Sequence, residues 1–173
     1  MLRSVKITTP SPRSEIMKLF LDPFRLSGIV SHFTILQAYE EELKKFVAPG
    51  RVLKDKIPTY FKVLYIFGTP DTGIQTVIGF LKGPEMITGG IEYLGNDEED
   101  TFSLKLQVLA REIGLNKSEF TINVNLNYNP TLKQRILGKV IKDLKFDFAN
   151  HVLTEHIVPY LNFIYRLEDV NFS

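Results

Sequence analysis

The 173-residue sequence has no cysteine, no tryptophan and only three histidines. Without cysteine there is no disulfide, no thiolate nucleophile, no iron–sulfur cluster and no cysteine-ligated zinc. That fits a reducing cytoplasm. An excess of one charge is missing too. Lys and Arg number 21 against 20 Asp and Glu, a net charge of +1, so no whole-molecule field draws the chain to nucleic acid. The longest uninterrupted apolar run is five residues, VLYIF at 63–67. A membrane helix needs about 20. The opening stretch MLRSVKITTPSP has no apolar signal core. These absences predict a soluble, cytoplasmic protein without a membrane span.

Familiar catalytic spacings are also absent: there is no HExxH, GxSxG, P-loop or GxGxxG. His151 and His156 are five residues apart, about 140° around an α-helix, so they do not share a face as an i,i+4 pair would. His32 lies far from them in sequence. The spacing therefore assigns no metal ligand, no cofactor and no catalytic residue. His156 falls in an apolar row and reads as a satisfied core histidine or a lone polar group facing the interior.

What is present is ordinary for a globular chain: 44% hydrophobic and 24% charged residues, enough for one domain over 1–173 with a sizeable core. Abundant Lys, Glu and Ile with no Cys or Trp leans towards a thermophile composition. Residues 3–8 alternate as a first strand. Ser11-Pro12 and Asp22-Pro23 each supply an N-cap side chain with proline at the first helical position, predicting two short helices, the second stopping at Gly28. Strand-like runs follow at 32–39, 60–67, 74–81, 86–94, 102–109 and 120–128. Turn signals at Gly68, at Lys82-Gly83-Pro84 and at Gly95-Asn96-Asp97 separate them, as in an antiparallel meander. Residues 43–56 give no clear pattern. Asn129-Pro130 reads as the cap of a long last helix.

That helix carries one i,i+4 row of Ile136, Val140, Leu144, Phe148, Val152, His156, Tyr160 and Ile164. Such a row creeps about 40° per step. The apolar stripe therefore winds around the helix, which predicts a bend, with Pro159 as its cause, or burial against different neighbours at the two ends. A homodimer surface is one use for the second half. Lys133, Arg135, Lys139, Lys142 and Lys145 form a solvated face, or alternatively a weak membrane-surface contact with anionic headgroups.

The stretch SPRSEIMKLFLDPFRLSGIV at 11–30, with the element order after it, resembles the helix-grip superfamily. That group includes START lipid-transfer domains, birch-pollen-allergen-like proteins, polyketide cyclases and a family of small carbon monoxide dehydrogenase subunits. The resemblance implies an α+β fold in which a curved antiparallel sheet of about seven strands wraps around a long C-terminal helix. Two short helices would stand between the first and second strands. It also implies a cavity for an apolar small molecule such as a lipid, quinone or isoprenoid.

The alternating strands predict the inward wall: Phe61, Val63, Tyr65 and Phe67; Ile91 and Tyr93; Phe102, Leu104, Leu106 and Val108; Phe120, Ile122, Val124, Leu126 and Tyr128. With the resemblance, these become ligand-binding candidates (Val108 and Tyr128 aside), joined by Val140, Leu144, Phe148, Val152 and His156 from the helix. A core filled by its own aromatics is the competing reading. The tyrosines separate the two: in a solid core their hydroxyls bond to main chain. An enzyme of the cyclase or dehydratase type would need polar groups converging in the same cavity. On the last strand, FTINVNLNYN, the asparagines face out and pin register.

Overall fold

The computed structural model describes residues 1–51, 57–136 and 146–173. Strand β1 (Leu2–Thr9) is followed by helices α1 (Arg13–Leu21) and α2 (Pro23–Val30). Then come β2 (Phe33–Glu40), β3 (Lys45–Val47), β4 (Tyr60–Phe67), β5 (Gln75–Ile87), β6 (Gly90–Asp97), β7 (Phe102–Gly114) and β8 (Lys117–Tyr128). The C-terminal part holds α3 (Leu132–Ile136), α4 (Phe148–His151), a π-helical turn (Val152–Ile157), α5 (Val158–Ile164) and β9 (Asp169–Phe172). Among the described residues, nine strands form one antiparallel sheet in the order β3-β2-β4-β5-β6-β7-β8-β1-β9.

The alternation seen in the sequence sets the two faces. Phe102, Leu104, Leu106 and Val108 of β7 stand opposite Tyr128, Leu126, Val124 and Ile122 of β8. Side chains directly opposite in a ladder point to the same side, so these pairs build one apolar face. Helices α1 and α2, α4 and the π-turn pack on that face. The asparagines take the other: Asn123 pairs with Gln107, Asn125 with Lys105 and Asn127 with Ser103.

The expected seven-strand sheet around one long C-terminal helix is overturned. The sheet has nine strands, and the longest helical run among the described residues is α4 to α5, 148–164, which is 17 residues. The helix breaks at Phe146 and Asp147. Asp147 takes a non-helical backbone, and its Oδ1 accepts from Asn150 N at 3.0 Å, so it caps a new helix. Hydrophobic periodicity runs through this break because Leu144, Phe148 and Val152 keep the i,i+4 spacing across it in the sequence. Strands β3 and β9, of three and four residues, are too short for a period-two signal to stand out.

Several local starts and stops also differ. Asp22 caps α2 as expected, accepting from Phe24 N at 2.9 Å. Pro12, not Ser11, is the N-cap of α1, and the Ser11 carbonyl accepts from Ser118 Oγ at 2.6 Å. Gly28 lies inside α2, which ends at Ser31 in a left-handed conformation. Asn129 does not cap α3. Thr131 and Gln134 form a reciprocal capping box there, at 2.7 and 3.3 Å. The predicted turn at Lys82-Gly83-Pro84 is an irregularity inside β5. The reversal is at Gly89, where φ is +81°. Lys139, Lys142 and Lys145, which carry most of the headgroup-contact reading, lie outside the described residues.

Candidate functional site

The wall residues lie where the alternation puts them. Phe61, Val63, Tyr65, Phe67, Ile91, Tyr93, Phe102, Leu104, Leu106, Phe120, Ile122, Val124 and Leu126 are buried in a single cluster with Phe148 and Val152. Val140 and Leu144 lie outside the described residues. The sequence missed Leu26 and Val30 of α2, Phe33 of β2 and Leu81 of β5. These four, with Tyr93, Leu104, Leu106, Val124, Phe148 and Val152, enclose a void of about 10 Å³. Their apolar alternation or helical spacing was the available signal, but nothing in sequence said which helix would lie over the sheet.

Two of the three inward tyrosines, Tyr65 and Tyr93, are satisfied by main chain, the outcome expected of a core filled by its own side chains. Tyr65 donates to the Phe80 carbonyl at 2.5 Å, and Tyr93 to the Phe20 carbonyl at 2.7 Å. Burial pushes both phenols far above their ordinary range. They are anchors of the wall, and their hydroxyl hydrogens are engaged by main-chain carbonyls. From Tyr65 an aromatic chain runs through Phe102 (4.9 Å between centroids) to Phe67 (5.2 Å) and Phe148 (5.3 Å).

Beyond Phe148 the chain of rings ends on a cluster that sequence reasoning ruled out. His156 is half-buried and packs on the other two histidines. Centroids are 4.9 Å apart for His32 and His151, 5.0 Å for His32 and His156, and 5.0 Å for His151 and His156. The Nε2 atoms of His151 and His156 are 3.1 Å apart. One nitrogen from each of the three rings lies within 4.8 Å of the others.

The exclusion failed because it assumed an α-helix. Between the two histidines the chain makes a π-turn, in which Val158 N bonds to Leu153 O, five residues back. In that wider turn residues five apart come much closer around the axis than in an α-helix. Pro159 follows directly, at the start of α5. Having no N–H, it cannot bond back to Glu155, and the widened turn accommodates that missing bond.

His32, between α2 and β2, is only 6% exposed. Its Nδ1 is 2.7 Å from the Ile66 carbonyl. A carbonyl only accepts, so Nδ1 carries the hydrogen and Nε2 keeps its lone pair. Phe146 and Phe148 flank the His32 ring at 5.7 and 5.5 Å. Burial lowers the His32 pKa, the bond to Ile66 offsets part of this, and His151 lowers it further. His156 is pushed down to about 4, first by burial and then by His32 and His151, with Glu155 opposing. Both imidazoles are therefore neutral at pH 7.

On the opposite face of the sheet lies an open groove of about 790 Å³, bordered among others by Tyr60, Phe80, Asn125 and Asn127.

No family model matches the chain. No curated protein matches it. Among solved structures it is similar to the crystal structure of TTHA0849 from Thermus thermophilus, with 8% identity over 88% of this chain and 92% of that one and a TM-score of 0.47. Among the described residues, no helix is long and apolar enough to cross a membrane.

Proposed function

We propose that this protein binds, and by reversible binding carries, an apolar small molecule such as a lipid, quinone or isoprenoid. The observation that supports it is the void between α2, the π-turn segment and the sheet. Its lining is apolar apart from Tyr93, whose hydroxyl is engaged by Phe20. A polar ligand would find no partner there, whereas an apolar one loses only water. A volume of about 10 Å³ holds no such ligand. The proposal therefore requires the short helical cover, α2 and the α4-to-α5 segment, to part from the sheet when the ligand enters. A cyclase-like chemistry has less support, because the hydroxyls of Tyr65 and Tyr93 are both committed to main-chain carbonyls.

Native mass spectrometry of protein isolated from its own host tests the reading, followed by titration with the fluorescent fatty acid cis-parinaric acid. The expected result is an adduct lost on denaturation, or saturable uptake of the probe, abolished in Val152→Arg. A protein with no adduct and no uptake would sink the proposal.

A further inference from the structure

We infer that His32, His151 and His156 form a binding site for a divalent transition ion of the zinc class, with one coordination position left for water or an anion. The site is independent of the apolar wall and stands whether or not the wall takes a ligand.

The first argument is distance. Zinc–imidazole bonds of 2.0–2.1 Å at tetrahedral angles hold their nitrogens about 3.3 Å apart. The His151 and His156 Nε2 atoms already stand at 3.1 Å, and all three donors fall within 4.8 Å. Side-chain movements of about an ångström would complete a tripod. The ring planes meet steeply, at 90°, 81° and 69°. Rings radiating from a common centre do this, and a stacked aromatic core does not require it.

The second argument is donor preparation. Ligating histidines commonly give their other N–H to a carbonyl, which fixes the tautomer and aims the bare nitrogen. His32 does this with Ile66, and among the described residues its Nε2 has no hydrogen-bond partner. The His151 and His156 Nε2 atoms face each other, so one must carry a proton and donate to the other. A cation in place of that proton would satisfy all three rings at once.

The third argument is the backbone. π-turns are rare and recur at functional sites. Here the turn brings together two histidines that an α-helix would separate. Three imidazole donors, with no carboxylate in the group among the described residues, suit Zn²⁺, Cu²⁺, Ni²⁺ or Co²⁺. Ca²⁺ and Mg²⁺ require oxygen ligands and are a poor match. Three histidines leave the fourth tetrahedral position open. His151 and His156 are partly exposed, which gives solvent a route to it.

The test uses the full chain, stripped with a chelator and titrated with Zn²⁺ alone. The expected result is one zinc per chain and a rise in Tm that the chelator reverses. His151→Gln and His156→Gln should each weaken binding at least a hundredfold while circular dichroism stays unchanged. Glu85→Gln, a change outside the cluster, should leave binding intact. Cobalt(II) loading should give visible bands of a tetrahedral site that shift on adding azide. No stoichiometric uptake, or uptake unaltered in both histidine variants, overturns the site. Tetrahedral cobalt bands that ignore azide overturn the open position.

Discussion

His156 ties charge to stability at the level of a single side chain. Its pKa in the folded protein is about 4, against 6.5 for an unperturbed histidine. Between those values the unfolded chain takes up a proton that the folded site refuses. Stability is therefore complete above pH 6.5 and falls as pH drops towards 4. His32 shifts in the same direction. Urea denaturation of metal-free protein at pH 7 and pH 5 should show a lower midpoint at pH 5. His156→Gln should shrink that drop, since carboxylate contributions are shared by both proteins. Parallel pH profiles for the two would refute the shift. The histidines were visible in the sequence, but their proximity depends on a π-turn and on a residue about 120 positions away. The wall residues were easier, because a period of two assigns a side chain to a face without knowing what covers it.

The helical segment from α4 to α5 depends on Asp147. Its Oδ1 caps the first turn, and its Oδ2 receives Arg3 Nη2 at 2.7 Å. Asp147→Ala should cost about 1 kcal/mol for the cap. The partly exposed ion pair adds at most about 1 kcal/mol. Arg3→Ala removes only the second part, so chemical denaturation of both variants separates the two. An Asp147→Ala change without effect would mean that the cap does not hold this helix. The cap at Asp22 was legible, because Asp stood beside proline and a clear apolar start. The cap at Asp147 was missed because the i,i+4 row of Leu144, Phe148 and Val152 continues across it in the sequence. The outward asparagines of β8 stand opposite Gln107, Lys105 and Ser103. A slip of one residue would drive amides into the wall, which is how that row holds register.

Across the whole molecule the last strand closes one edge of the sheet. β9 pairs with β1 from Val5–Phe172 to Thr8–Asp169, while β1 pairs with β8 on its other side. Deleting residues 169–173 leaves β1 as an open edge beside buried Val5 and Ile7. Such an edge templates pairing between chains. Light scattering after size exclusion should show dimers or larger species for the truncated protein beyond those of the intact chain; an unchanged mass would show that the edge is protected otherwise. By itself the sequence determined seven of the antiparallel strands, the inward faces of β4, β6, β7 and β8 and the capped start of α2, because these follow from alternation and from bonds between near neighbours. Only the tertiary structure decided the nine-strand order, the break at Asp147 and the meeting of His32 with His151 and His156. Those depend on which distant segments pack together, and local periodicity carries no information about that.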